Sequence, residues 1–249
     1  MKKFGLLLVG LTAGLALWAV ASAGPTPWEA QQDRLAFESE QANLATMNSR
    51  QGHVVAWIAA KIGPVASRLY GTPIHYYLTK ETDPNAYSYY GPRVYVSMGM
   101  VNLAQNREEL AGVLCHESGH VLHHDGTRSA METHSHNLEV NHLLSHHHAT
   151  FAHLLSMGSN VVTLHFTQGQ EYAADKAGAT ICSDAGINPW GLVWMLELFQ
   201  RQPAYRTSRW SYLSDHPSNQ ARIKALTKYL KRNSQFATWS PDPRFATRI

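Results

Sequence analysis

His116-Glu117-Ser118-Gly119-His120 places two imidazoles four residues apart, with a carboxylate directly after the first. The flanking residues read as helix, on which positions i and i+4 share one face about 6 Å apart. Two imidazoles at that spacing can hold one Zn²⁺ while the glutamate between them reaches a water on the metal. Whatever the fold, it must bring a further ligand to that face from elsewhere in the chain.

Catalytic zinc usually takes three protein ligands and keeps a fourth position open. One class of zinc protease supplies a histidine six residues after the second, with a glycine between. Gly126 and His123 stand at those places, which excludes that class. The other common solution is a glutamate from a downstream helix, and Gln170-Glu171-Tyr172-Ala173-Ala174-Asp175 fits it. Glu171 would bind the metal, and Asp175, one turn on, would accept the free N–H of a ligand histidine. Small residues at Ala173, Ala174, Ala177, Gly178 and Ala179 let this helix approach Ala111 and Gly112 on the first.

With 249 residues, 44% of them hydrophobic, the chain can bury a sizeable core, and one domain is the default. The N-terminus reads as an export signal over residues 1–23. Lys2 and Lys3 precede an uncharged, largely apolar run from Phe4 to Ala21, and Ala21-Ser22-Ala23 is a small-residue cleavage pattern. The competing reading is an uncleaved membrane anchor, because the run is near spanning length. Without Lys2 and Lys3, 19 basic residues face 18 acidic ones. That balance points to no nucleic acid and no anionic membrane surface.

An oxidising compartment makes a Cys115–Cys182 disulfide the first guess. Geometry argues against it. Cys182 lies 11 residues past Glu171, about 16 Å along a helix, whereas bridged Cα atoms lie within roughly 7 Å. Two buried free cysteines are therefore expected.

Along the chain, residues 28 to about 62 read as helix, with Gly63-Pro64 as the stop. Ile74–Thr79, Ala86–Tyr90 and Arg93–Ser97 read as strands. Asn106 with Glu109 fits a helix cap, opening a helix that runs to about His124. Helices over Gln168–Ser183 and Pro189–Arg201 follow, the first stopped by Gly186, and a last one runs from after His216-Pro217 to about Arg232. Trp190, Trp194 and Leu198 share a buried stripe. Thirteen of the 15 histidines lie between His116 and His216. His142, His146 and His153 fall on one helical face within the His134–His165 segment. Either a second metal-binding surface or a polar face that happens to use histidine accounts for them. A single domain over 24–232 and an irregular tail over 233–249 complete the organisation.

Four motifs together resemble the gluzincin metallopeptidases of the HtpX, CAAX prenyl protease and BepA type. They are Asn85-Ala86-Tyr87-Ser88-Tyr89-Tyr90-Gly91, the His116–His120 helix, Glu171 to Asp175, and Ser214-Asp215-His216-Pro217-Ser218 followed by Arg222. Order and spacing agree over roughly residues 45 to 230. The resemblance implies that His216 stands near the metal, stabilising an oxyanion or capping the zinc at rest. It implies that Asn85 contacts substrate, and that Arg222 supports the ligands, pairing with Asp175 or a backbone carbonyl. The family often has a histidine nine residues after the first ligand, where this chain has Asp125.

The expectation is an α+β, mainly helical zincin-like domain with a small antiparallel sheet, acting as a zinc-dependent endopeptidase. Zn²⁺ would polarise the scissile carbonyl and activate its water, with Glu117 as general base. An extended substrate would add alongside the Asn85–Tyr90 strand. Its clients would be unfolded or misassembled exported polypeptides in a bacterial periplasm, envelope or outer-membrane proteins among them. The alternative is a low-activity chaperone or adaptor with an occluded zinc site. Nothing in the residues sets an oligomeric state.

Overall fold

The computed structural model describes residues 24–131, 166–202, 211–216 and 220–249. The expected export signal, the His134–His165 segment and Pro217-Ser218 lie outside the described residues.

Helix α1 spans Pro27–Glu40 and opens with a capping box in which Thr26 and Glu29 each satisfy the other's backbone N–H. Helix α2 spans Arg50–Tyr70. The expected single helix is thus two, and the expected stop at Gly63-Pro64 is instead mid-helix in α2. Val54, Val55, Ile58, Ile62, Ala66 and Tyr70 form a continuous buried stripe through that point. Packing of the stripe outweighs the hydrogen bond that a mid-helix proline forfeits. The helix ends at Gly71, whose φ of 89° few other residues adopt readily.

Three strands follow: β1 (His75–Thr79), β2 (Ala86–Ser88) and β3 (Arg93–Ser97). Their spatial order is β1-β3-β2, so the last strand in sequence is the central one. β2 pairs with β3 antiparallel, but β1 pairs with β3 parallel. The sheet is therefore mixed rather than wholly antiparallel, because β3 inserts between its two predecessors. β2 is left as an edge, and it packs against the helix that carries His116.

A short helix, α3 (Met98–Leu103), leads to α4 (Arg107–Leu122). Asn106 caps α4 by accepting from the Glu109 backbone N–H at 2.8 Å. The Glu109 carboxylate returns to the Gln105 N–H at 2.7 Å. Every residue of α4 from Glu109 to Val121 is buried. It runs through the middle of the protein, with α2, the sheet, α5 (Gln168–Asp184) and α6 (Trp190–Arg201) around it. α6 is buried nearly all round, with Trp190, Trp194 and Leu198 in the core. A short helix, α7 (Ser211–Asp215), precedes His216, and α8 (Gln220–Arg232) packs on α5 and α6. Architecture and helix content are α+β and mainly helical, as the pattern implies.

The tail beyond Asn233 has only single 3₁₀ turns, yet it is docked. Pro241 accepts from the Trp194 indole at 2.9 Å, and Glu108 accepts from the Thr247 backbone N–H at 2.8 Å. No helix among the described residues is long and apolar enough to cross a membrane.

The two cysteines are bonded, which corrects the expectation of free thiols. The offset of about 16 Å separates the cysteines only if Glu171 lies level with Cys115. The observed register is different. A Cβ on Gly119 would lie 2.6 Å from the Ala174 carbonyl oxygen, and one on Gly178 would lie 2.9 Å from the His116 nitrogen. α4 and α5 therefore run antiparallel at backbone contact, with Glu171 beyond His120. Cys182 falls back to a Cα separation of 6.0 Å from Cys115. Only glycine allows this approach, so Gly178→Ala should force the helices apart, lowering the thermal midpoint and weakening zinc binding in a chelator competition. An unchanged midpoint and affinity would contradict the packing described.

Candidate metal centre

Ligating atoms of His116, His120, Glu171 and His216 all lie within 4.8 Å of one another, and all four residues are buried. The i, i+4 spacing on α4 brings His116 Nε2 and His120 Nε2 to 3.1 Å. Glu171 enters from the first turn of α5, where Thr167 and Gln170 form a capping box. Its Oε1 lies 3.2 Å from His120 Nε2, and its Oε2 3.6 Å from His116 Nε2. His216 follows α7 and puts Nδ1 2.9 Å from Glu171 Oε1 and 3.3 Å from His116 Nε2.

The outer nitrogens are also held. His116 Nδ1 is 3.0 Å from Asp175 Oδ1. His120 Nδ1 is 2.9 Å from Asp125 Oδ2. Arg222, a fully buried side chain, donates from Nε and Nη2 to the two Asp175 oxygens at 2.8 and 2.7 Å. Its Nη1 pairs with Glu171 Oε2. One guanidinium thus compensates Glu171 and Asp175 together in the planar fork that only arginine offers. Ser118, on the sheet side of α4, bonds the Tyr76 hydroxyl at 2.8 Å and ties β1 to the same helix.

Residue patterns singled out neither Asp125 nor the aromatic wall. Asp125 lies five residues past His120, outside any helical repeat. His124, at φ 53°, turns the chain so that the carboxylate returns to the ring. The one available signal is that Asp125 stands where the resembling family often has a histidine. Phe166 stacks on His120 at 4.0 Å and Tyr212 on His216 at 4.8 Å. Asn85 is outside the cluster. Its amide donates to Glu81 at 3.1 Å, and its backbone N–H to Ser97 Oγ at 2.8 Å.

These surroundings bias protonation. Burial, then the Arg222 charge, push His116 down to about 3, which keeps the imidazole neutral. Burial pulls His120 the same way, but Asp125 and Glu171 outweigh it and raise the ring to about 9. Burial raises the Glu117 carboxyl, with His216 opposing. Burial also raises Glu171 and Asp175, but Arg222 leads the charges that hold both below their ordinary values.

Donor chemistry fits a divalent metal. Three imidazoles and a carboxylate, buried together and converging, repel or waste their lone pairs unless a cation joins them. Carboxylate orientation of the outer ring nitrogens is the usual support for histidine ligands. Both Glu117 oxygens are buried without a hydrogen-bond partner among the described residues, with His216 Nε2 3.5 Å from Oε1. That arrangement suits a group meant to meet a small polar molecule at the metal.

Acid should loosen this centre. Glu171, Asp175 and Glu29 all sit below their ordinary 4.5, 3.8 and 4.5 in the folded chain. Each therefore contributes stability that is complete above its ordinary value and is lost as pH falls through the folded one. Glu117, raised by burial, works oppositely, but its effect is complete by about 4.5. The metal-free chain should show a thermal midpoint that drops steadily from pH 4.5 to pH 3. A flat profile there would contradict these assignments.

The profile of the Peptidase M48 family matches residues 49–230. The beta-barrel assembly-enhancing protease of Escherichia coli O157:H7 is 26% identical over 163 residues, which is 61% of this chain and 33% of that protein. The chain therefore spans about a third of the length of the first curated relatives it matches. Metalloprotease YcaL of Escherichia coli K12 is 25% identical over 228 residues, 88% of this chain and 85% of that protein. Mitochondrial metalloendopeptidase OMA1 of Schizosaccharomyces pombe is 25% identical over 163 residues, 62% of this chain and 46% of that protein. The matched span includes both helices that meet at the histidine–glutamate cluster, together with His216 and Arg222, and on that ground the chain belongs to peptidase family M48.

Proposed function

We propose that this chain is a zinc-dependent endopeptidase, with His116, His120 and Glu171 as the metal ligands and Glu117 as general base. The observation that carries the reading is the buried convergence of His116, His120, Glu171 and His216 beside Glu117, whose carboxylate oxygens have no hydrogen-bond partner among the described residues. A bound Zn²⁺ supplies Lewis-acid polarisation of the scissile carbonyl and a water acidic enough to react near neutral pH.

The chain's own residues do the rest. Glu117 accepts the proton at a carboxylate oxygen and returns it to the leaving amine, a task suited to a carboxyl raised by burial. Asp175 and Asp125 fix the ring orientations of His116 and His120. Arg222 keeps Asp175 and Glu171 ionised. His216, 2.9 Å from Glu171 and 3.5 Å from Glu117, would hold the developing oxyanion or cap the metal at rest. β2, an edge strand of the sheet, would offer an extended substrate backbone hydrogen bonds. Asn85, at the start of that edge, would contact it.

Export to a bacterial periplasm accords with the leader-like N-terminus and with the buried disulfide. Backbone pairing reads side chains weakly, so the clients would be unfolded or misassembled polypeptides. The name of the beta-barrel assembly-enhancing relative extends that reading to outer-membrane proteins. The test is casein cleavage by the zinc-loaded chain. We expect cleavage within the casein chains, its loss on chelation and its return with Zn²⁺. Cleavage indifferent to chelator would refute the reading.

A further inference from the structure

The Cys115–Cys182 bond joins the residue directly before His116 to the helix that carries Glu171. Both cysteines are buried, so the bond is part of the α4–α5 interface and no surface staple. Everything α5 contributes to the centre travels with it: Glu171, Asp175, and through them the hold on Arg222. The glycine contacts at Gly119 and Gly178 set how near α5 can come, and the His116–Asp175 contact at 3.0 Å adds a directional link, but none of these is covalent. Cys182 Sγ also lies 3.5 Å from the carbonyl oxygen of Ala111, one turn before Cys115 on α4. The disulfide is the covalent contact of this interface, and it locks the spacing and axial register that the glycine contacts and the His116–Asp175 bond establish between the two ligand-bearing helices.

We infer that the Cys115–Cys182 bridge is a positioning element for the metal centre, holding Glu171 at coordinating reach of His116 and His120, so that the bridged chain binds Zn²⁺ tightly and the unbridged chain binds it loosely. This rests on the metal ligands proposed above and not on peptide hydrolysis, so its test can fail while the peptidase reading stands. It also makes tight metal binding a property of the oxidised chain.

The experiment compares the metal-free bridged chain with Cys115→Ala/Cys182→Ala and with Cys115→Val/Cys182→Ala, which keeps more of the buried volume without the bond. Zn²⁺ affinity is read by competition with a chelating indicator, and ligand geometry by the visible absorption of bound Co²⁺. Folding is followed by the thermal midpoint. Loss of groups that orient metal ligands typically weakens binding about tenfold to a hundredfold, and we expect that range for both variants. We also expect an altered Co²⁺ spectrum even where the valine variant regains stability. Equal Zn²⁺ affinity with an unchanged Co²⁺ spectrum in either folded variant would overturn the inference and leave the bond a contributor to stability alone. Should both variants be unfolded, the Co²⁺-loaded wild-type chain is reduced with a phosphine. Absorption that changes as the two thiols appear supports the inference, and absorption that persists overturns it.

Discussion

Glu117→Gln should abolish nearly all turnover while leaving the metal in place and the protein at least as stable. Glu117 is not in the ligand cluster, so zinc content should stay unchanged. General acid–base groups typically contribute about 10²- to 10⁴-fold, and a loss of that size in casein cleavage is expected. The stability part follows from burial. The charged carboxyl is disfavoured where it sits, with both oxygens buried and no hydrogen-bond partner among the described residues. A neutral amide of the same shape removes that penalty, so the thermal midpoint should hold or rise, as is common when a strained functional group is neutralised. A variant that loses both activity and zinc would mean that Glu117 helps to bind the metal. A variant that keeps full activity would remove Glu117 from the chemistry.

Arg222→Ala should produce the largest loss of stability. The guanidinium is fully buried and serves Asp175 through two hydrogen bonds and Glu171 through an ion pair. Its removal leaves two buried carboxylates uncompensated. Breaking one partner out of a buried ionic group costs about 3–5 kcal/mol. Urea unfolding of the metal-free chain at pH 7 should show a loss in that range. Arg222→Lys should recover only part of it, because one ammonium cannot span both carboxylates in a fork. A loss below about 1 kcal/mol for the alanine variant would place this pair among exposed, solvent-screened contacts, against the burial described.

The parts of the centre that were legible in the sequence are those whose spacing is local. His116 and His120 share a helical face by arithmetic, and Asp175 follows Glu171 by one turn. The caps at Asn106 and the stop at Gly186 are local too, as is strand β3, found at its predicted bounds. What stayed hidden depends on how elements meet. The disulfide turns on the register of α4 against α5, set by glycines that touch backbone across the interface. Asp125 reaches His120 through a left-handed residue after the helix end, a conformation no periodicity reveals. Parallel pairing of β1 with β3 is a long-range choice that the turn signals at Asp83-Pro84 and Gly91-Pro92 do not encode. α2 runs through Pro64 because its buried stripe continues, which a local breaker rule cannot weigh. α4, buried on every side, has no polar face to show which side meets the sheet. Arg222 and His216 entered through the resemblance to a family, and their positions around Glu171 are tertiary facts.

The central claim is that one divalent cation is shared by two turns of α4 and a carboxylate from α5. The most direct measurement is the metal content of the purified chain after exposure to Zn²⁺ and removal of the excess, beside Glu171→Ala treated identically. We predict one zinc per wild-type chain, held through buffer exchange, and little or none in the variant. Equal zinc in both, or none in the folded wild-type chain, would contradict the account.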